Sequence, residues 1–126
     1  MNKNLTDEEK AVLFDSATEA PFSGELLHEG RTGVFRCKNC GHELFRSDAK
    51  FDSGSGWPSF TEPANREHVT LVDDSSHGMN RTEVRCKNCD AHLGHVFNDG
   101  PIEKGGQRYC INSLSLSFDP GKQKGA

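Results

Sequence analysis

Arg36-Cys37-Lys38-Asn39-Cys40 recurs letter for letter as Arg85-Cys86-Lys87-Asn88-Cys89. A Cys-x-x-Cys turn lets two sulfurs converge on one ion, and a pair of such turns supplies the four ligands of a tetrahedral zinc. Cys40 and Cys86 are separated by 45 residues, so the tertiary fold has to bring the two knuckles together. The competing reading is a thioredoxin-like redox dithiol, which needs a βαβ context. Neither pair has one, and both are flanked identically, as equal partners in one site are. The pattern predicts a structural Zn2+ held by Cys37, Cys40, Cys86 and Cys89. With four sulfurs bound the ion keeps no position for a water, so it builds the fold and does no chemistry. Two zinc-enzyme classes lack their signatures here. No histidine is followed two residues later by glutamate, as a zinc deaminase requires, and His-Glu-x-x-His is missing too.

The rest of the composition explains why such a staple is needed. Of 126 residues only 33% are hydrophobic, with thirteen glycines and five prolines. Burial alone leaves a thin margin of stability in a chain of this kind. The length suits one domain, expected over 5–120 with a frayed polar tail over 121–126. A net charge of −4 does not suit a nucleic-acid surface, which must neutralise phosphates. No apolar run nears the roughly 20 residues of a membrane span. The first residues show no apolar signal segment, so a cytoplasmic, thiol-reducing setting is expected. Nothing in the sequence demands more than a monomer.

Outward from the knuckles the chain reads as mainly β. Thr6-Asp7-Glu8-Glu9 has the form of a capping box, with Val12, Leu13 and Phe14 giving a short apolar stripe that ends before Pro21. A second turn or helix is expected around Ser23 to Leu27. From Gly30 onward, Val34–Arg36, His68–Val72, Thr82–Arg85, Val96–Phe97 and Arg108 to Phe118 suit antiparallel strands. Asp73 to Asn80 has the composition of a hairpin loop.

The fifth cysteine, Cys110, is left over by the metal site. If Arg108 to Phe118 is one strand, Arg108, Cys110 and Asn112 share a face with Leu114, Leu116 and Phe118. The apolar end anchors that face in the core, and the other presents a thiol between a guanidinium and an amide. A neighbouring cation lowers a thiol's pKa from its free value of about 8.5. The alternative is an inert buried cysteine. Ala91-His92-Leu93-Gly94-His95-Val96-Phe97-Asn98-Asp99 is a second candidate group. His92 and His95 fall on opposite faces of a regular strand, unless Gly94 permits a bulge that turns both to one side. They are otherwise two solvated histidines. Trp57, in Gly54-Ser55-Gly56-Trp57-Pro58-Ser59-Phe60, either lines a pocket or lids the core.

Taken together, Gly56 to Phe60, the paired knuckles, His92 to Gly100 and Arg108 to Ser113 resemble the methionine-R-sulfoxide reductase family of MsrB type, over nearly the whole chain. The resemblance implies a mainly β fold of two antiparallel sheets with short N-terminal helices, the zinc lying far from the active site. It implies that a Cys110 thiolate attacks the sulfoxide sulfur and becomes a sulfenic acid. His95 then supplies the proton to the departing oxygen, with Asp99 supporting it. Trp57 receives the methyl group, His92 and Phe97 line the site, and Arg108 and Asn112 hold the thiolate's surroundings. The implied partners are proteins carrying oxidised methionine and a thiol reductant. Many members of the family place a resolving cysteine just before Gly-Trp-Pro; here Ser55 stands there. A single-cysteine cycle follows, completed by an external thiol such as thioredoxin or glutathione with glutaredoxin. Two rivals make different demands: a zinc-ribbon-like binding module predicts no sulfoxide turnover, and a general thiol oxidoreductase predicts no epimer preference.

Overall fold

The computed structural model describes residues 3–74 and 81–120. The remainder of the expected hairpin loop, 75–80, and the polar tail after Pro120 lie outside the described residues. Helix α1, Asp7–Asp15, starts where the capping box predicts: Thr6 Oγ1 accepts from the Glu9 amide, and Glu9 returns a carboxylate to the Thr6 amide. It stops at Ser16, which takes a left-handed conformation (φ 58°). Val12 and Leu13 are buried while Phe14 stays exposed. Of the turn or helix expected around Ser23 to Leu27, a turn forms, at residues 25–28, so α1 stands where short N-terminal helices were expected.

Among the described residues nine strands follow. β1 (Gly33–Cys37), β2 (Glu43–Arg46) and β9 (Leu116–Pro120) form a three-stranded sheet in the order β2-β1-β9. β3 (Lys50–Phe51), β4 (Ser59–Phe60), β5 (Val69–Asp74), β6 (Arg81–Cys86), β7 (His92–Phe97) and β8 (Arg108–Ile111) form a six-stranded sheet in the order β3-β4-β8-β7-β6-β5. Each strand pairing is antiparallel, which confirms the mainly β expectation. Phe35 and Phe45 of the small sheet meet Phe60 and Tyr109 of the large one. Phe45 stacks on Phe60 at 4.4 Å and Phe35 meets it edge-on at 5.1 Å. Aromatic packing of this kind adds to the burial that holds the sheets face to face.

Three short strands, β2, β3 and β4, were not expected. β3 and β4 have only two residues each, and the buried pair Leu44-Phe45 breaks the alternation of four-residue β2, so none of them carries a pattern that can be read from sequence. The expected strand from Arg108 to Phe118 is likewise two strands, β8 and β9, separated by a 3-10 turn at Ser113–Ser115. The chain must leave the large sheet here to enter the small one. Side chains occupy the ladder positions in between: the Leu114 amide donates to Glu19 Oε1, and the Ser115 hydroxyl donates to the carbonyls of Leu93 and Asn112. The anchoring residues change accordingly. Tyr109 and Ile111 are the buried residues of β8, and Arg108 and Cys110 share its other, half-buried face.

β7 carries a bulge. Arg85 of β6 pairs with His92 and Val84 with Gly94, leaving Leu93 as the extra residue. The irregularity turns His92 and His95 toward each other, with ring centroids 5.5 Å apart. Gly94 has a different task from the one expected of it. A Cβ there would collide with the backbone of Cys110 and Ile111 on β8, so glycine is needed for the close approach of β7 to β8. Gly94→Ala therefore costs at least about 2 kcal/mol through overpacking. The collision lies beside the rung that pairs His95 with Cys110; urea unfolding checks the cost.

Candidate active site and metal centre

The repeated pentapeptide builds the same device twice. In the first knuckle the Gly41 amide donates to the Cys37 carbonyl and the Cys37 amide to that of His42. In the second, Asp90 donates to Cys86 and Cys86 to Ala91. Gly41 (φ 80°) and Asp90 (φ 66°) both take the left-handed conformation that closes the turn; aspartate is among the few non-glycine residues that tolerate it. Cys37 ends β1 of the small sheet and Cys86 ends β6 of the large one, so the knuckles tie the two sheets together. The four Sγ atoms all lie within 4.8 Å of one another, with Cys37–Cys89 at 3.6 Å and Cys40–Cys86 at 3.5 Å. A zinc bound at about 2.3 Å by four sulfurs sets them about 3.8 Å apart, so the donor set fits a tetrahedral ion. Crowding and burial split the thiols' acidity. Hydrogen bonding to Cys37 brings Cys86 down to about 5, and the same contact drives Cys37 strongly upward. A cation at the centre would relieve that conflict.

Cys110 lies elsewhere. Arg81 lines its pocket, whereas Cys86 of the metal cluster is at the other end of the same strand β6, about 17 Å away at 3.3 Å per residue. Cys110 pairs with His95 on β7 and with Ser59 on β4. Directly opposed residues of an antiparallel pair share a face, with Cβ atoms about 5 Å apart, so thiol and imidazole are neighbours. The cavity in front of them measures about 190 Å³. Trp57, Phe97, Arg108 and Asn112 line it, together with Ser55 and Thr18. Trp57 therefore walls a pocket and does not lid the core.

Burial pushes the Cys110 thiol up from its ordinary value, while the Ser55 hydroxyl and the Arg108 guanidinium work against that rise. The expectation of a lowered pKa is thus corrected: the cation is present, but desolvation outweighs it. Ser55 Oγ stands 3.9 Å from Cys110 Sγ. It is itself tied to Ser53 at 2.8 Å, which reaches buried Ser59 at 2.7 Å.

Two partnerships differ from expectation. Asp99 does not support His95: its carboxylate holds Arg108 through bonds of 2.9 and 3.2 Å, and that guanidinium keeps the Asp99 carboxyl below the usual range. The carboxylate on His95 is that of Asp74, 2.8 Å from Nε2. Asp99 follows Phe97 out of β7 and lies across from Arg108, which pairs with Phe97 and lays its guanidinium 4.6 Å from that ring. His92 stands behind His95, buried, with Nδ1 2.7 Å from Glu83 Oε2. Burial lowers the His92 pKa in spite of that carboxylate.

Sequence reasoning missed Glu19, which pins the site from the N-terminal side. Its amide donates to Asn112 Oδ1 at 3.0 Å, its carbonyl accepts from Trp57 Nε1 at 2.9 Å, and its side chain holds the Leu114 amide. Burial raises its pKa above the usual carboxylate range against the hydrogen bonds it accepts. No local pattern marks Glu19, Thr18, Asp74 or Arg81, because each joins the site through contacts distant in sequence.

Comparison with known proteins agrees with this construction. The crystal structure of the Mis18 'Yippee-like' domain is similar with a TM-score of 0.58 at 22% identity, over 74% of this chain and 100% of that one; the likeness is one of fold. The SelR domain matches residues 5–120. That stretch holds both knuckles and all the pocket-lining residues, and the chain belongs to the SelR-domain family, the methionine-R-sulfoxide reductases of MsrB type.

Proposed function

We propose that this protein reduces methionine R-sulfoxide in oxidised polypeptides by way of Cys110, with residues 5–120 acting as one unit. The observation that carries the reading is the rung of β7 and β8 that sets His95 opposite Cys110 in a pocket walled by Trp57. The Cys110 thiolate attacks the sulfoxide sulfur. His95, held by the Asp74 carboxylate, gives a proton to the oxygen as the sulfur–oxygen bond weakens. Trp57 offers an apolar face to the methyl group. Arg108, held by Asp99, and Asn112, held by Glu19, stabilise the charge at sulfur. The protonated oxygen then passes from the methionine sulfur to the Cys110 sulfur as the new sulfur–sulfur bond breaks, so methionine leaves and Cys110 becomes a sulfenic acid.

Ser55 occupies the reach from which a resolving thiol would attack that sulfenic acid, and a hydroxyl does not perform this step. The other four thiols converge in the metal cluster. An external thiol therefore condenses with the sulfenic acid, releasing water, and a second thiol reduces the mixed disulfide; thioredoxin or glutathione with glutaredoxin suits this chemistry. Cys37, Cys40, Cys86 and Cys89 would hold a structural Zn2+ that clamps the sheets. Among the described residues no helix is long and apolar enough to cross a membrane, and a cytoplasmic setting supplies the reduced thiols.

The separate R and S epimers of a methionine sulfoxide peptide, supplied with dithiothreitol, test the whole reading. Turnover of the R epimer alone is expected, at least 10³-fold reduced in Cys110→Ala, roughly what removal of a nucleophile costs. After one turnover without reductant, mass spectrometry should find a sulfenic acid or its adduct; a disulfide within the chain would refute external resolution. Equal turnover of both epimers, or full activity in the variant, would remove the reductase reading in favour of a general thiol oxidoreductase.

The metal reading is tested separately. Elemental analysis should give about one zinc per chain, and a strong chelator should lower the melting temperature by tens of degrees, since site formation and folding are coupled.

The thiol's acidity predicts a pH dependence with a definite sign. Because burial raises the Cys110 pKa, the thiolate fraction, read as the rate of alkylation, grows as pH rises above neutrality. Ser55→Ala and Arg108→Met each remove an influence that lowers it, so their profiles move to higher pH. Slower alkylation of Cys110 at pH 8, followed by peptide mapping, is the expected readout.

A further inference from the structure

The cavity of about 190 Å³ is smaller than the roughly 300 Å³ at which pockets begin to enclose whole small molecules. It holds one side chain, so the rest of an oxidised polypeptide must lie over the rim. One part of that rim is the arm from Thr18 to Phe22. Glu19 is its buried anchor, and Thr18, Ala20, Pro21 and Phe22 are exposed on either side of it.

Phe22 is the unusual residue. It is 68% exposed, and its backbone takes the left-handed conformation at φ 64°. A bulky aromatic rarely sits there, and glycine would do so without strain. The conformation is enforced by the Trp57 loop: the Phe22 amide donates to the Gly56 carbonyl at 2.7 Å. The ring lies directly over Gly56, where an added Cβ would collide with Pro21 and crowd Phe22. Gly56 itself takes φ 94°, and the next residue is pocket-lining Trp57. A strained residue that holds a large apolar ring in solvent beside a binding pocket gains nothing for the fold from doing so.

We propose that Phe22 is an apolar platform for the side chain next to the oxidised methionine, making it a specificity-determining residue that favours polypeptides with an aliphatic or aromatic neighbour. The proposal rests on the reductase reading above. The methionine sulfoxide side chain enters past Trp57, and the adjoining residue is laid over the ring of Phe22, which is continuous with the pocket through Gly56. Water leaves both apolar surfaces on contact, and the gain appears in substrate binding, before any bond to sulfur changes.

The test uses three R-sulfoxide substrates: the blocked amino acid N-acetylmethionine sulfoxide amide, and two pentapeptides that differ only in having leucine or serine beside the oxidised residue. Wild-type protein should prefer the leucine peptide by about fivefold in kcat/KM, through KM. Phe22→Gly relieves the left-handed strain, so its melting temperature should hold or rise. In that variant the preference should fall to within twofold, through KM, with turnover of the blocked amino acid retained. Binding of the same peptides to Cys110→Ser, followed by the fluorescence of Trp57, should show the same loss. If Phe22→Gly turns over the blocked amino acid and still prefers the leucine peptide fivefold, the platform is overturned and the reductase reading stands. If wild-type protein reduces none of the three, the reductase reading falls and takes the platform with it.

Discussion

The candidate active site depends on one register, that of β7 against β8. Side chains alternate along a strand with a period of two, so a slip of one residue moves every side chain to the other face. Tyr109 and Ile111 are buried in the core, and their burial forces Arg108 and Cys110 to the opposite face. Phe97 and His95 meet these two across the ladder. The force that packs the aromatic core is thus also the one that aims the thiol. Gly94 lets the two strands close at that point, and the bulge at Leu93 brings His92 up behind His95.

Separation of tasks among the sulfurs follows from the same architecture. β6 runs from Arg81 at the pocket to Cys86 at the four-cysteine cluster, so the two ends of one strand reach the proposed reaction site and the proposed zinc site. The cluster joins the end of β1 to the end of β6 and thereby staples sheets whose shared core is small. A four-sulfur site has no room for substrate, and the pocket has no second thiol in front of Cys110. Each end is poorly suited to the other's work.

Burial also sets a tension at the pocket. Enclosing Cys110 keeps water from its sulfur, and the same enclosure disfavours its thiolate. Ser55 and Arg108 offset that effect in part, and Asp99 keeps the guanidinium in place. Glu19 performs the matching service on the other side, holding Trp57 and Asn112 through its own backbone while its carboxyl holds the turn that follows.

Much of the molecule was legible in its sequence. The repeated pentapeptide specified two knuckles of identical local geometry, because a Cys-x-x-Cys turn is closed by hydrogen bonds within six residues. The capping box of α1 is local in the same way, and the motifs around Trp57, His95 and Cys110 carried the family and the candidate site. Partnerships were not legible. Asp99 stands near His95 in sequence yet serves Arg108, while Asp74 reaches His95 from another strand. The break between β8 and β9 arises from a change of sheet, and the raised thiol pKa from enclosure. The chain by itself determined which side chains are available and the turns that local hydrogen bonds close. Tertiary structure alone decided which carboxylate meets which base and how much water reaches the sulfur, because both depend on strands brought together from distant parts of the chain.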